Sequence, residues 1–151
     1  MRRVTLVTGP PCSGKSRHVD LHAQPGQLIA CHDHEARRAG SPRRHDHADN
    51  HHHAAQAAWK RLVADIAASS DGTSWVIRCA PEGPERQQLA EQLRADLVLV
   101  LMPPLEVALH RAGLDRRSRR TYGVIRGWYR RYSPAPCDTL VQPEPAVSRA
   151  W

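Results

Sequence analysis

Short apolar runs and helical periodicities take turns along this chain. Residues 3–8 form one apolar run, 27–31 a second, 74–79 a third, and 95–102 a fourth that is almost wholly apolar. Runs of this length, rich in Val, Ile and Leu, predict strands, and 139–141 predicts a short fifth. Between the runs the spacing turns helical. A helix is expected over 15–23, stopped by Pro25 and Gly26, and a helical turn over 35–39, closed by Gly40. Over 52–68, residues Ala55, Ala58, Trp59, Leu62, Val63 and Ile66 fall on one face. Further helices are expected over 85–94 and 105–112, and a last one that turns Tyr122, Ile125, Tyr129 and Tyr132 inward. The stretch 41–53 is polar and without period, and a Pro-containing tail follows the fifth run.

Near-continuous apolar strands alternating with helices indicate an α/β protein with a parallel sheet covered on both faces. At 151 residues the chain reads as one domain, 1–151, with no internal repeat and no separating linker. The opening Met-Arg-Arg and apolar run imitate a secretion signal, but the run ends after a few residues in Gly-Pro-Pro. No other apolar run exceeds strand length, so no membrane contact is expected. Cys12, Cys31, Cys79 and Cys137 lack C-x-x-C spacing and read as free thiols in a reducing, cytoplasmic setting.

One motif gives the pattern a chemistry. The first strand runs straight into Gly9-Pro10-Pro11-Cys12-Ser13-Gly14-Lys15-Ser16, which fits the phosphate-loop pattern G-x-x-x-x-G-K-S. Glycines permit the backbone angles such a loop needs and leave room for main-chain N–H groups to approach an anion. The helix that begins beside Lys15 aims its positive end at the same place. Lys15 is the expected point charge on the outer phosphates of ATP, and Ser16 the hydroxyl ligand of magnesium. Residues 9–16, together with Arg17, are the expected nucleotide contacts.

Charge adds a second element. The formal net charge is +7, and residues 111–131, with eight arginines and Asp115 as their one acid, carry all of it. Arginine forks bind phosphate in a bidentate way that ammonium groups do not. Arg116, Arg117, Arg119 and Arg120 in the turn around 113–121 are therefore expected to close over a transferred phosphoryl group, with Arg126 more distant; Arg111, Arg130 and Arg131 read as a solvated face.

A phosphate loop over Gly9–Ser16, then Asp33, then the segment from Arg116 to Tyr129 with Ile125, Trp128 and Tyr129 resembles small P-loop kinases. Among them it is most similar to the kinase half of bacteriophage polynucleotide kinases and to small phage proteins labelled AAA ATPases. The resemblance implies a three-layer sheet in the order 2-3-1-4-5 with an arginine-rich lid, ATP and magnesium. Asp33, by its position after the second strand, would be the base that accepts or orients the proton of an attacking hydroxyl, and a further magnesium ligand; the alternative is a helix cap. Glu35 is held in reserve, and His32 and His34, if on a strand, would point away from Asp33. The third strand ends Ile77-Arg78-Cys79 and the fourth Leu101-Met102-Pro103, so neither supplies the acid of a water-activating motor.

The implied activity is transfer of the ATP γ-phosphate to a nucleoside, a nucleotide or a nucleic-acid 5′-end. Two rivals stand beside it: a nucleic-acid-binding NTPase that stacks bases on Tyr122, Trp128 and Tyr129, and a small-molecule kinase. His45, His47, His51, His52 and His53 with Asp46 and Asp49 invite a metal reading, but runs of His with no Cys and no helical ligand spacing are weak evidence for one, and the segment reads rather as a polar loop. Arg43, Arg44, Arg78 and Arg86 are further positions where an anionic acceptor would be met.

Overall fold

All five apolar runs become strands of one parallel sheet. The computed structural model describes residues 1–141, and the Pro-containing tail lies outside them. In chain order the elements are β1 (Arg3–Thr8), α1 (Lys15–His22), β2 (Leu28–Ala30), α2 (His32–Arg38), α3 (Asp49–Ala68), β3 (Thr73–Arg78), α4 (Gly83–Leu93), β4 (Leu97–Leu101), α5 (Leu105–Leu114), α6 (Arg119–Arg131) and β5 (Asp138–Val141). The strand order is β2-β3-β1-β4-β5, as expected. β1 is central because its alternate residues are apolar on both sides: Val4 and Leu6 pack with Trp59, Val63 and Ile66 of α3 and Leu93 of α4, while Val7 packs with Val19 of α1. Every strand therefore delivers its C-terminal end to the same edge, where ligands of such sheets bind.

Three boundaries differ from the sequence reading. α2 begins at His32, so His32, Asp33 and His34 lie on a helix and the strand argument for their directions falls. α3 begins at Asp49 and absorbs His51, His52 and His53. The arginine turn shrinks to residues 115–118, since α5 runs to Leu114 and α6 starts at Arg119; the segment expected as a lid is a tight turn between two packed helices. The inward face of α6 is also re-registered. Thr121, Ile125 and Trp128 are buried, with Tyr122 and Tyr129 half-buried beside Ala108 and Ala112 of α5, while Tyr132 caps the helix.

Arg86, expected as an anion contact, is fully buried and structural. Its guanidinium pairs with Asp138 of β5 at 2.6 Å and donates to the Ala80, Pro81 and Ser133 carbonyls. Removing one partner of such a pair strands a buried charge. Arg86→Ala is expected to lower unfolding stability by about 3–5 kcal/mol in a urea titration.

Candidate active site

The phosphate loop has the backbone its sequence demands. Gly9 (φ 148°) and Gly14 (φ 92°) take left-handed angles, and a Cβ on Gly9 would run into the Leu101 carbonyl of β4. Cys12 also sits at positive φ (61°), unusual for a residue with a side chain. α1 has no side-chain cap, so the N–H groups of its first turn lack intrahelical acceptors and border the cavity described below. Pro10 and Pro11 bring no N–H, which leaves the cradle to residues 12–16. Lys15 Nζ lies back along the loop, donating to the carbonyls of Gly9 (2.9 Å) and Pro10 (2.6 Å). That position places an ammonium group at the loop without burying it unpaired.

The loop opens into a cavity of about 860 Å³, within the range that holds a nucleotide-sized ligand. Pro11 to Arg17 form one wall, Asp33, His32, His45 and His52 another, and Arg44, Gln56 and Arg78 lie near them; Cys31 and Cys79 also border it. Gly9 and Pro10 are buried behind the wall. Of the arginines expected in the lid, Arg117 lines the cavity, whereas Arg116, Arg119 and Arg120 are exposed and outside the lining. The reason is local. Arg116 stands at positive φ (50°), and the N–H groups of Arg116 and Arg117 return to the carbonyls of Gly113 and Ala112, the five-to-two and six-to-one bonds respectively, which end a helix and reverse the chain. That reversal turns Arg117 back toward the phosphate loop, where its Nη1 lies 3.7 Å from Cys12 Sγ.

Arg111, read as solvated, is 5% exposed and reaches the Cys12 carbonyl at 3.5 Å. Burial lowers its pKa. The missed signal was its place on the Ala108–Ala112 stripe of α5. Cys12 itself is no activated thiol, because burial pushes its pKa up against the opposing pull of Arg117.

Asp33 is the most densely engaged carboxylate of the site. His45 Nδ1 donates to one oxygen at 2.8 Å and His47 Nε2 to the other at 2.9 Å, while the Ser41 hydroxyl meets His47 Nδ1 at 2.8 Å. α2 is capped by Cys31, so the helix-cap alternative for Asp33 does not hold. Burial alone would raise its pKa; the two imidazoles outweigh that and hold it at about 2. A folded-state value below the ordinary 3.8 means that Asp33 contributes stability present above about pH 4 and lost as pH falls through about 2. In a carbon-13 carboxyl titration, Asp33 should show a midpoint near 2, moving upward in His47→Gln. Glu35, the reserve base, is buried and paired with Arg38 at 2.5 Å, outside the cavity lining.

Magnesium fits this site only in part. Ser16 at the first turn of α1 supplies a suitable hydroxyl, within hydrogen-bond reach of the Cys31 thiol. Asp33, expected as a further magnesium ligand, has one imidazole on each oxygen and keeps a second lone pair on both. Around the histidine-rich segment, as elsewhere among the described residues, no three His, Cys, Asp or Glu side chains are grouped to hold an ion. His32 instead lies against His52, with ring centroids 4.6 Å apart and the ring planes tilted by 49°. No disulfide joins the four cysteines, and no described helix is long and apolar enough to cross a membrane.

No family model and no curated protein matches this chain. Among solved structures, a shikimate kinase from Acinetobacter baumannii, in complex with shikimate, superposes with a TM-score of 0.54 and 16% sequence identity, covering 99% of this chain and 88% of that one. This likeness and the sheet order define the fold as that of the P-loop kinases: five parallel strands with helices on both sides. The likeness is one of fold, and it does not single out the polynucleotide kinases that the sequence resembles.

Proposed function

We propose that this protein is an ATP-dependent phosphotransferase acting on a small anionic acceptor, a class that includes nucleosides with charged groups, nucleotides and organic acids. One observation carries the reading: a phosphate loop and the Asp33–His45 pair line a single cavity, with Arg117 beside the loop. Residues 12–16 would hold the ATP phosphates through main-chain N–H groups, with Lys15 moving from the Gly9 and Pro10 carbonyls to the outer phosphates. Magnesium, when bound, supplies charge neutralisation on the phosphate oxygens, and Ser16 is the residue that would hold it.

At the acceptor end, Asp33 orients His45 through Nδ1. His45 Nε2 makes no hydrogen bond among the described residues and is the atom that takes the acceptor proton. The acceptor oxygen then bonds to the γ-phosphorus as its bond to the bridging oxygen breaks, ADP carrying away the electron pair. Arg117 neutralises charge spreading over the transferred group. Arg78, stacked over the Trp59 ring at 4.7 Å, and Arg44 border the same cavity and favour an anionic acceptor.

The aromatic residues of α6 weigh against base stacking. Trp128 is buried and donates its indole N–H to the Cys79 carbonyl at 2.7 Å, while Tyr129 donates to the Pro103 carbonyl and sits half in the core. The small-molecule reading is also compatible with the fold likeness to a shikimate kinase, and a nucleic-acid 5′-end is the second acceptor class because Arg119, Arg120, Arg126 and Arg130 present an exposed cationic face. Incubation with γ-labelled ATP, magnesium and a panel of nucleotides, organic acids, nucleosides and 5′-hydroxyl oligonucleotides tests both. Label should enter an anionic small acceptor; label found only in inorganic phosphate would mean hydrolysis and end the kinase reading.

A further inference from the structure

The lid turn is held in place by a residue far from it in sequence. Asp46 belongs to the segment 41–48, which leaves α2 through a left-handed Gly40 (φ 97°) and brings Arg44 and His45 to the cavity lining. One Asp46 oxygen accepts the Ser118 N–H at 3.1 Å, and the other accepts the Thr121 hydroxyl at 3.1 Å. The first of these oxygens also lies 3.5 Å from Arg117 Nε. Ser118 is the N-cap residue of α6 but makes no side-chain cap bond to the helix backbone, and the first turn holds Arg119 and Arg120 and no acid. Two cations at the positive end of a helix dipole are unfavourable. A carboxylate from another segment fills both needs, satisfying an N–H group of the helix start and opposing the adverse charge.

The residues either side of Asp46 are His45 and His47, whose rings take the two oxygens of Asp33. Three consecutive side chains thus tie the acceptor-side carboxylate to the lid arginine. Asp46 is itself at positive φ (53°), an angle Asp tolerates better than most residues, and this lets its side chain depart from those of its neighbours.

Resting on the kinase reading for its chemistry, we propose that Asp46 is a positioning residue that holds Arg117 beside the phosphate loop, so that lid and acceptor carboxylate are set by one segment. Its work is done through Arg117, on the transferred phosphoryl group, and not on ATP binding. Preorganised cations are most effective when they need no rearrangement as charge develops.

The test is a double-mutant cycle. Asp46→Asn, which keeps the shape and loses the charge, is expected to lower kcat for label transfer at least fivefold with KM for ATP changed less than threefold. The same substitution made in an Arg117→Ala background is expected to cost less than twofold. Asp46→Ala should show the same pattern with a larger first step. An equal loss in both backgrounds would overturn the proposal, since Asp46 would then act on the fold alone. Nitrogen-15 relaxation at Arg117 Nε in the ligand-free protein supplies a readout independent of turnover. Ordered Nε–H in the wild type and loosened Nε–H in Asp46→Asn support the positioning role; equal order in both overturns it. Should the wild type transfer no label at all while Arg117 still loosens in Asp46→Asn, the kinase reading fails and the positioning role stands.

Discussion

Lys15→Ala is expected to reduce phosphoryl transfer by about a thousandfold or more and to weaken ATP binding by about tenfold. The phosphate loop's donors are main-chain N–H groups from residues 12–16, each neutral, and Lys15 is the loop's own mobile positive charge. Removing one preorganised donor to a developing charge costs about two to three powers of ten in related chemistry, and a full charge beside the transferred group is worth more. The ground-state loss is smaller because bound phosphates keep the main-chain cradle and the positive end of α1. Fold loss is not expected to confuse the result, since Lys15 is only partly buried and bonds to carbonyls of its own loop. Steady-state rates and calorimetric ATP titrations on the same preparation measure the two effects separately.

Asp33→Asn should leave ATP affinity within about threefold and remove transfer by two to four powers of ten. An amide at residue 33 cannot accept from both imidazoles with both of its ends, so either His45 or His47 loses its partner and His45 its fixed tautomer. In catalytic triads the equivalent change costs about four powers of ten without disturbing the fold, by selecting the wrong tautomer. The paired variant His45→Gln separates two mechanisms. If His45 takes the proton, both variants lose transfer together; if His45→Gln stays active while Asp33→Asn does not, Asp33 takes the proton directly. Calorimetric ATP binding with transfer rates on both variants decides it.

How much of this was legible in the sequence depends on how local each determinant is. The phosphate loop was legible because its requirement is local: a strand, two left-handed glycines, a lysine and a hydroxyl in a fixed order. The parallel sheet followed from apolar strands alternating with helices, while its strand order came from the resemblance to P-loop kinases. The resemblance singled out Asp33 by its place after β2, and it does line the cavity, yet its partners were not legible. His45 and His47 lie in a segment with no period, and nothing in a polar sequence says which imidazole folds back onto which carboxylate. Asp46 is the same case at longer range, meeting Ser118 and Thr121 across the molecule.

Arginine misled in both directions because its charge hides its geometry. Arg86 and Arg111 were assigned to solvent or substrate, but one is locked to Asp138 and the other lies under the phosphate loop. Arg116 and Arg120 were assigned to the lid and are exposed outside the cavity. A helical stripe count places Arg111 with Ala108 and Ala112, so that burial was readable; the position of Arg117 was not, since it depends on the unusual positive φ of Arg116.

The central claim is that the loop at residues 9–16 holds the triphosphate and that Arg117 meets it there. Titrating the nitrogen-15-labelled protein with a non-hydrolysable ATP analogue and magnesium tests this most directly. Amide resonances of residues 12–16 and the Arg117 Nε–H resonance should shift together and saturate at one affinity, and the shifts should weaken in Lys15→Ala. Saturable shifts elsewhere with residues 12–16 silent, or loop shifts with Arg117 unmoved, would contradict it.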